Sequence, residues 1–443
     1  MMTDSVARNP VRAAARNAGS KGIRRAVIAC SLGHGFEIYD FLIFGFFAAQ
    51  IGRAFFPSAD PVISLLFALA TFGAGFLMRP LGAIVFGYFG DYIGRRTTLA
   101  ISIALMAIAV GLTGLIPTYE AIGIAAPILM VFCRLLQGFS MGGEWGGAAT
   151  ALAEHAPPGR RGFLSSFQSV AGGIAALAAI LTAALLNTIL DEADLQDWGW
   201  RLPFIFGALL GPVAYYLRTK VAETPVFEEA IAAATNVTRV PLWGAAIQTH
   251  GRMMLVAIGI TTIIITLQYM FVIFMPSYAT QTLHIDQASA LYATAVGVLF
   301  YIAFTPVVGS ISDRIGRRLP VFLCAALSFV LTYPAFLLLT TYPTPTTFLM
   351  VQIVGGLIQP LMTGVIAAIL AEMFPTAIRY TALSICYALS VTIFGGFAPF
   401  IGTFLVRVTG DPLSPSYYIM ATALISGIAV FFVKSTSPAA KLE

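Results

Sequence analysis

A ten-residue stretch occurs twice in this chain. GYFGDYIGRR runs from Gly87 to Arg96, and GSISDRIGRR from Gly309 to Arg318. Asp91 and Asp313 stand 222 residues apart, half of a 443-residue chain. Each copy lies between two long apolar runs, so it reads as a tight turn joining two membrane helices. Glycine permits close backbone approach, Asp caps a helix start, and arginines hold the turn at an anionic membrane surface. Two copies at matching places imply a duplication. A second pair agrees. LAEHAPPGRR (Leu152 to Arg161) answers LAEMFPTAIR (Leu370 to Arg379), and Glu154, Pro157 and Arg161 pair with Glu372, Pro375 and Arg379 at a common offset of 218.

Hydrophobic residues make up 58% of the chain and charged residues 10%. Soluble domains carry about 25% charged residues, so this is a polytopic membrane protein. At about 20 residues per span there is room for twelve helices. The apolar runs predict them at 26–50, 62–88, 97–117, 122–148, 163–188, 201–217, 253–280, 289–310, 319–341, 345–370, 378–406 and 415–433. The expected fold is all-α and integral to the membrane, with twelve transmembrane helices in two pseudo-symmetric six-helix bundles. The bundles cover 26–217 and 253–433, a polar linker spans 218–252, and 1–25 and 434–443 are tails.

Of the 25 Lys and Arg residues, 20 fall in the tails, the repeated turns, the linker, or at Arg160, Arg161 and Arg379. On this map they share one side, which the positive-inside rule makes cytoplasmic, with both termini. The opposite loops hold Asp60, Glu120, Asp191, Glu192, Asp194, Asp197, Asp286 and Asp411. Topology therefore explains the net charge of +5, and nucleic-acid binding is not indicated. Cys30, Cys133, Cys324 and Cys386 lie in or at the ends of apolar spans without metal-ligand spacing and read as packing residues.

The matched turns suggest a cytoplasmic gate in which acidic helix ends latch onto basic turns. Its candidates are Gly87, Asp91, Gly94, Arg95, Arg96, Glu144, Glu154, Arg161, Asp313, Arg314, Gly316, Arg317, Arg318, Glu372 and Arg379. Inside the spans, ionisable residues are few. Glu37 and Asp40 share a face of the first helix, Arg134 lies mid-way along the fourth, and Arg79 sits towards the cytoplasmic end of the second. Each costs about 2.5–3.5 kcal/mol at a helix centre, so each should face a wet cavity or a partner. Arg79 and Arg134 suit substrate carboxylates, because guanidinium forks match planar anions. Gln268, Tyr269, Tyr278, Gln352, Gln359 and Tyr387 are candidates to complete the cavity. No catalytic constellation, zinc pattern or nucleotide-binding domain stands out, so an enzyme is not expected and no cofactor is implied.

GFEIYDFLIFGFF (Gly35 to Phe47), FLMRPLGA (Phe76 to Ala83), RLLQGFSMGGEWGG (Arg134 to Gly147), AEMFPTAIRYTALS (Ala371 to Ser384) and IFGGFAP (Ile393 to Pro399) carry a resemblance. With the repeated turn, they resemble the major facilitator superfamily, and within it the metabolite–proton symporter family. WGWRLPF (Trp198 to Phe204) and VTGDPLSP (Val408 to Pro415) look most like its citrate and tricarballylate symporters. One departure is Tyr92, where the family turn usually carries arginine, as the second copy does at Arg314. The resemblance implies an inner-membrane, monomeric carrier that works by alternating access and is driven by the proton gradient. Its partners would be a small carboxylate, protons and the lipid bilayer. Similar transporters pair an acid on helix 1 with an arginine on helix 4. That makes Asp40 with Arg134 the expected proton-coupling pair, Glu37 the second candidate, and a static salt bridge the alternative. A symporter for betaine or proline, or an exchanger or efflux carrier of the same fold, remains open. Osmosensing relatives often carry a long C-terminal extension, whereas here only 434–443 follow the last predicted helix.

Overall fold

The computed structural model describes residues 35, 37–93, 95–142, 144–157, 159–219 and 242–433. The predicted tails, most of the linker and Gly94 lie outside the described residues, as do the surroundings of Gly87, Asp91, Arg95, Arg96, Glu144 and Glu154.

Among the described residues, twelve apolar helical segments follow in chain order. Helix α1 is bent by 67° between Glu37–Phe46 and Ala48–Phe55. Helix α2 joins Pro61–Leu77 to Arg79–Ile93, α3 is Arg95–Leu115, and α4 joins Ala125–Ser140 to Glu144–His155. Helices α5 and α6 are Arg161–Ile189 and Leu202–Thr219. Helix α7 runs Leu242–Tyr269, loosens into a π turn at Met270–Phe274 and resumes at Met275–Gln281. Helices α8 and α9 are Gln287–Ile315 and Arg318–Thr341. Helix α10 is broken at Pro360 into Pro345–Ile358, Pro360–Thr363 and Ile366–Met373. Helix α11 carries a second π turn, with Thr376–Ser390, Val391–Gly395 and Ala398–Thr409, and α12 is Ser414–Ala429.

The ends and interiors of these helices follow from local chemistry. Asp60 accepts from Val62 N–H at 2.9 Å ahead of Pro61, and Asp286 accepts from Ser289 N–H at 2.9 Å, so each caps a helix start. Within the spans, Thr113, Thr294, Thr305 and Thr332 bond back to carbonyls one turn earlier. A hydroxyl can therefore sit in the apolar layer without an orphaned donor.

The duplication is visible in how the helices cross. In the first bundle α2 and α4 touch backbone to backbone: a Cβ on Gly138 would lie 1.6 Å from Gly75 O. In the second bundle α8 and α10 do the same, and a Cβ on Gly356 would lie 2.1 Å from Gly297 O. Gly75 and Gly297 are 222 apart, and Gly138 and Gly356 are 218 apart, the offsets already seen in the two pairs of turns. Small residues at such crossings allow the dispersion contacts that hold helices together in lipid.

Both faces of the seam between the bundles are closed. On the face bearing the repeated turns, called here the turn face, Gly162 of α5 sits against Gly309 of α8, and a Cβ on Gly162 would be 2.5 Å from Gly309 O. The two helices stay together to the opposite face, where Thr188 Oγ1 and Tyr292 OH are 3.4 Å apart. Thr392 of α11 donates to Phe76 O of α2 at 2.7 Å, and Gly45 of α1 packs on Ile273 of α7. At the opposite face Arg407, closing α11, donates to Asp60 ahead of α2.

That last pair is open to solvent, with side-chain exposures of 53% and 27%. Exposed pairs contribute about 0.2–1 kcal/mol, and the Debye length falls to about 3 Å at 1 M salt. Arg407→Gln, or high salt on that face, is therefore expected to raise the population open on that side by up to about fivefold. Distances between spin labels on the two bundles in wild type and variant measure this. A salt response unchanged in Arg407→Gln means the pair is not the salt-sensitive element.

Candidate functional site

A cavity of about 30 Å³ lies between the bundles. That is room for a water molecule or two, so a solute enters only when the bundles part. Ile38 of α1, Trp145 of α4, Gln168, Ser169 and Gly172 of α5 line it from the first bundle. Gln268 of α7, Tyr301 of α8, Thr363 and Ile366 of α10, and Tyr387 of α11 line it from the second. The repeat offsets organise this lining. Trp145 and Thr363 are 218 apart, as are Ser169 and Tyr387, and Arg79, beside the cavity, is 222 from Tyr301. The site therefore sits on the pseudo-symmetry axis, where equivalent positions of the two repeats converge.

Trp145 and Tyr387 stack across the seam with centroids 3.7 Å apart and planes within 1°. Tyr301 OH donates to Ser169 O at 3.1 Å, and Ser169 Oγ donates to Thr363 O at 3.0 Å, so hydroxyls also bridge the bundles. Gln168 Nε2 donates to Trp145 O at 3.0 Å, while its buried Oε1 has no hydrogen-bond partner among the described residues. An unsatisfied buried amide oxygen costs about 1–3 kcal/mol, and here it is an acceptor available to a ligand. The guanidinium of Arg79 lies 5.9 Å from the Tyr387 ring and 5.7 Å from that of Phe76. Of the predicted cavity residues, Gln268 and Tyr387 line the space, while Tyr269 and Arg79 stand beside it.

Gln352 and Gln359 do not line it. Gln352 Nε2 donates to Phe271 O at 3.1 Å, inside the π turn of α7, and to Thr294 Oγ1 at 2.9 Å. It ties α10 to α7 and α8. Gln359 is buried and donates weakly to Gly355 O in its own helix, and Tyr278 donates to Pro412 O. These amides and hydroxyls are taken up by backbone carbonyls, so they are packing groups in this conformation.

Arg134 and Asp40 are brought together, but away from the cavity lining. Their side chains are both 0% exposed, with Nη1 and Oδ2 3.6 Å apart. That distance makes an ion pair without a hydrogen bond. Rings of Phe44, Phe41 and Phe204 surround the guanidinium at 4.1, 5.5 and 5.7 Å. Arg134 is expected from the sequence to contact substrate; in this conformation aromatic walls from α1 and α6 enclose it within the first bundle. Gln352 is its repeat mate, offset by 218. Glu37 is buried one turn before Asp40, and Ile38 between them reaches the cavity.

At the turn face the second copy of the turn forms a buried latch. Asp313 accepts from the N–H groups of Gly162 at 2.8 Å and Phe163 at 3.0 Å, at the positive start of α5. Arg317 donates to Asp313 at 2.8 Å, to Glu372 at 3.2 Å and to Ser312 Oγ at 2.6 Å. Three of the candidate gate residues, Asp313, Arg317 and Glu372, thus meet. Arg161 is buried at the start of α5, and Arg379 donates to the carbonyls of Ala371 and Phe374. Gly316, with φ of 88°, ends α8 in a conformation that favours glycine. Arg314 and Arg318 stand outside the latch: Arg314 is exposed, and Arg318 reaches Phe431 O at the end of the last helix. Sequence reasoning missed Trp145, Gln168, Ser169, Tyr301, Thr363 and the Asp60–Arg407 pair.

Two helical bundles closed over a central site, with ionisable groups held inside the membrane layer, define a membrane carrier. A model described as "Sugar (and other) transporter" matches residues 26–241, and one described as "Major Facilitator Superfamily" matches 257–443. The proline/betaine transporter of Escherichia coli K12 is 38% identical over 94% of this chain and 84% of its own length. The citrate-proton symporter of Klebsiella pneumoniae is 35% identical over 97% of this chain and 96% of its own. The xylose transporter XylE of E. coli, in a partially occluded inward-open conformation, superposes with a TM-score of 0.72 at 18% identity, covering 94% of this chain and 99% of that one. The chain belongs to the major facilitator superfamily and is a transporter, not an enzyme.

Proposed function

We propose that this protein is a proton-coupled importer of a small zwitterionic solute of the betaine or proline type. The turn face and both termini are cytoplasmic in this reading, and the carrier works in the inner membrane as a monomer, without a cofactor. The observation that carries it is the chemistry of the cavity wall. Its polar groups are the neutral amides Gln168 and Gln268 and the hydroxyls Ser169, Tyr301 and Thr363, beside the aromatic faces of Trp145 and Tyr387. Aromatic faces bind alkylammonium groups, the quaternary one of a betaine included, the open Gln168 Oε1 accepts from the ammonium N–H of a proline-type solute, and one guanidinium, Arg79, suits one carboxylate. A tricarboxylate asks for more positive charge than this wall presents. The proline/betaine relatives support the same choice. Carboxylate symport, the expectation from sequence, is the second reading, favoured by Arg79 and the citrate-symporter relatives.

Asp40 carries the proton, with Arg134 as its counter-ion, and substrate does not compete for the sealed guanidinium. Coupling instead runs along α1, where Ile38 touches the cavity two residues before Asp40. Uptake into proteoliposomes under an imposed pH gradient, offering betaine, proline, citrate and tricarballylate separately, tests the reading. One coupled proton yields about tenfold accumulation per pH unit, from 1.36 kcal/mol. Accumulation of betaine or proline is expected. Accumulation of citrate alone would move the protein to the carboxylate branch.

A further inference from the structure

A second cavity lies on the outside of the seam. It has a volume of about 490 Å³, within the range of small-ligand pockets. Phe163 of α5 forms one wall, and Pro306, Val307, Ser310, Ile311, Arg314 and Ile315 of α8 form the rest. The groove therefore exists only while the two bundles meet at the turn face. Val307, Ile311 and Ile315 are 46–51% exposed on a helix that crosses the membrane, so its mouth opens to lipid. Arg314 caps its end in the last turn of α8, at the depth where a cation meets headgroups. Its neighbour Asp313 is already held by Arg317 and by two N–H groups of α5. Among the described residues, Arg314 has no ion-pair partner. Its repeat mate, offset by 222, is Tyr92. The chain thus places a cation at this position in one repeat and not in the other.

We infer that this groove seats an anionic phospholipid, with its phosphate on Arg314 and an acyl chain against Pro306, Ile311 and Phe163. The bound lipid touches both bundles and is lost when α5 and α8 separate. A ligand that binds one state better shifts the equilibrium towards that state. Anionic lipid therefore favours the conformation closed at the turn face, independently of which solute is carried.

The test uses the full chain in liposomes, with spin labels at Arg160→Cys and Leu319→Cys to read closure of the turn face without substrate. Replacing a fifth of zwitterionic lipid by phosphatidylglycerol is expected to raise the closed-to-open ratio about fivefold, the worth of one arginine at an anionic surface. Arg314→Gln, and Ile311→Trp, which fills the groove while keeping the charge, should each remove the response. An equal response in either variant overturns the lipid seat, leaving surface charge in the first case and Arg314 alone in the second. Inorganic phosphate should not reproduce the shift in zwitterionic liposomes; if it does, the acyl groove plays no part and the proposal fails.

Discussion

Asp40→Asn abolishes uphill accumulation while counterflow exchange persists. With a one-unit pH gradient and no membrane potential, one coupled proton sustains about a tenfold gradient. The variant, unable to bind that proton, should only equilibrate its solute. Exchange of labelled for unlabelled solute should remain within about threefold of wild type, because the cavity lining is untouched. The substitution also leaves Arg134 buried without its counter-ion, and breaking a buried pair this way costs about 3–5 kcal/mol. The rings of Phe41, Phe44 and Phe204 offset part of that cost. The double variant Asp40→Asn with Arg134→Gln removes the stranded charge and must show the same loss. If the double variant still accumulates solute, Asp40 is not the proton carrier and Glu37 takes its place. If single and double variants both lose exchange while remaining folded in the membrane, the pair is structural.

Much of the fold could be read from the sequence, because bilayer physics allows so few solutions. A run of about 20 apolar residues must be a helix, and the offsets 222 and 218 matched the halves before any geometry was known. The breaks in α7, α10 and α11 were less legible. A π turn such as Met270–Phe274 is apolar throughout and leaves no mark on hydropathy. Its carbonyl at Phe271 drew in Gln352, which sequence reasoning had given to the substrate. The charged part of the site was legible because Asp40, Arg79 and Arg134 stand out in an apolar span. The uncharged part was not: Trp145, Ser169, Tyr301 and Thr363 have the composition of ordinary packing residues. Applying the repeat offsets to the candidates would have found two of them: Arg79 points to Tyr301, and Tyr387 back to Ser169, whereas Trp145 and Thr363 pair only with each other. Burial of Arg134 behind aromatic rings could not be foreseen from spacing, since Phe204 comes from a helix seventy residues further on.

Valine at Gly162 is expected to hold the protein open at the turn face. A Cβ there lies 2.5 Å from Arg317 Nη1, 2.5 Å from Gly309 O and 2.6 Å from Ser312 Oγ. Arg317 can swing away, at the cost of its bonds to Asp313 and Glu372. The Gly309 carbonyl belongs to the facing helix and cannot move unless α8 itself retreats. Overpacking of this kind costs about 1–3 kcal/mol, and that cost falls on the closed state alone. The closed population should drop by about five- to 150-fold, and net transport with it, because the cycle needs closure on this side. A thiol introduced at Ser169 should become reactive to reagents added on the turn face. Gly251→Val is the control, since a Cβ there meets nothing within 4 Å. Gly45→Val makes the opposing case: its Cβ would lie 2.8 Å from the Ile273 side chain, on the other half of the seam. A side chain yields more readily than a backbone carbonyl, so its shift should be smaller and in the opposite sense, with Ser169→Cys protected on the turn face. If both valines expose that thiol to the turn face, they loosen the packing generally, and the seam does not work as a two-sided rocker. Opposite shifts with intact helical content place the pivot of alternating access at the central cavity, between Gly162 on one side and Gly45 on the other.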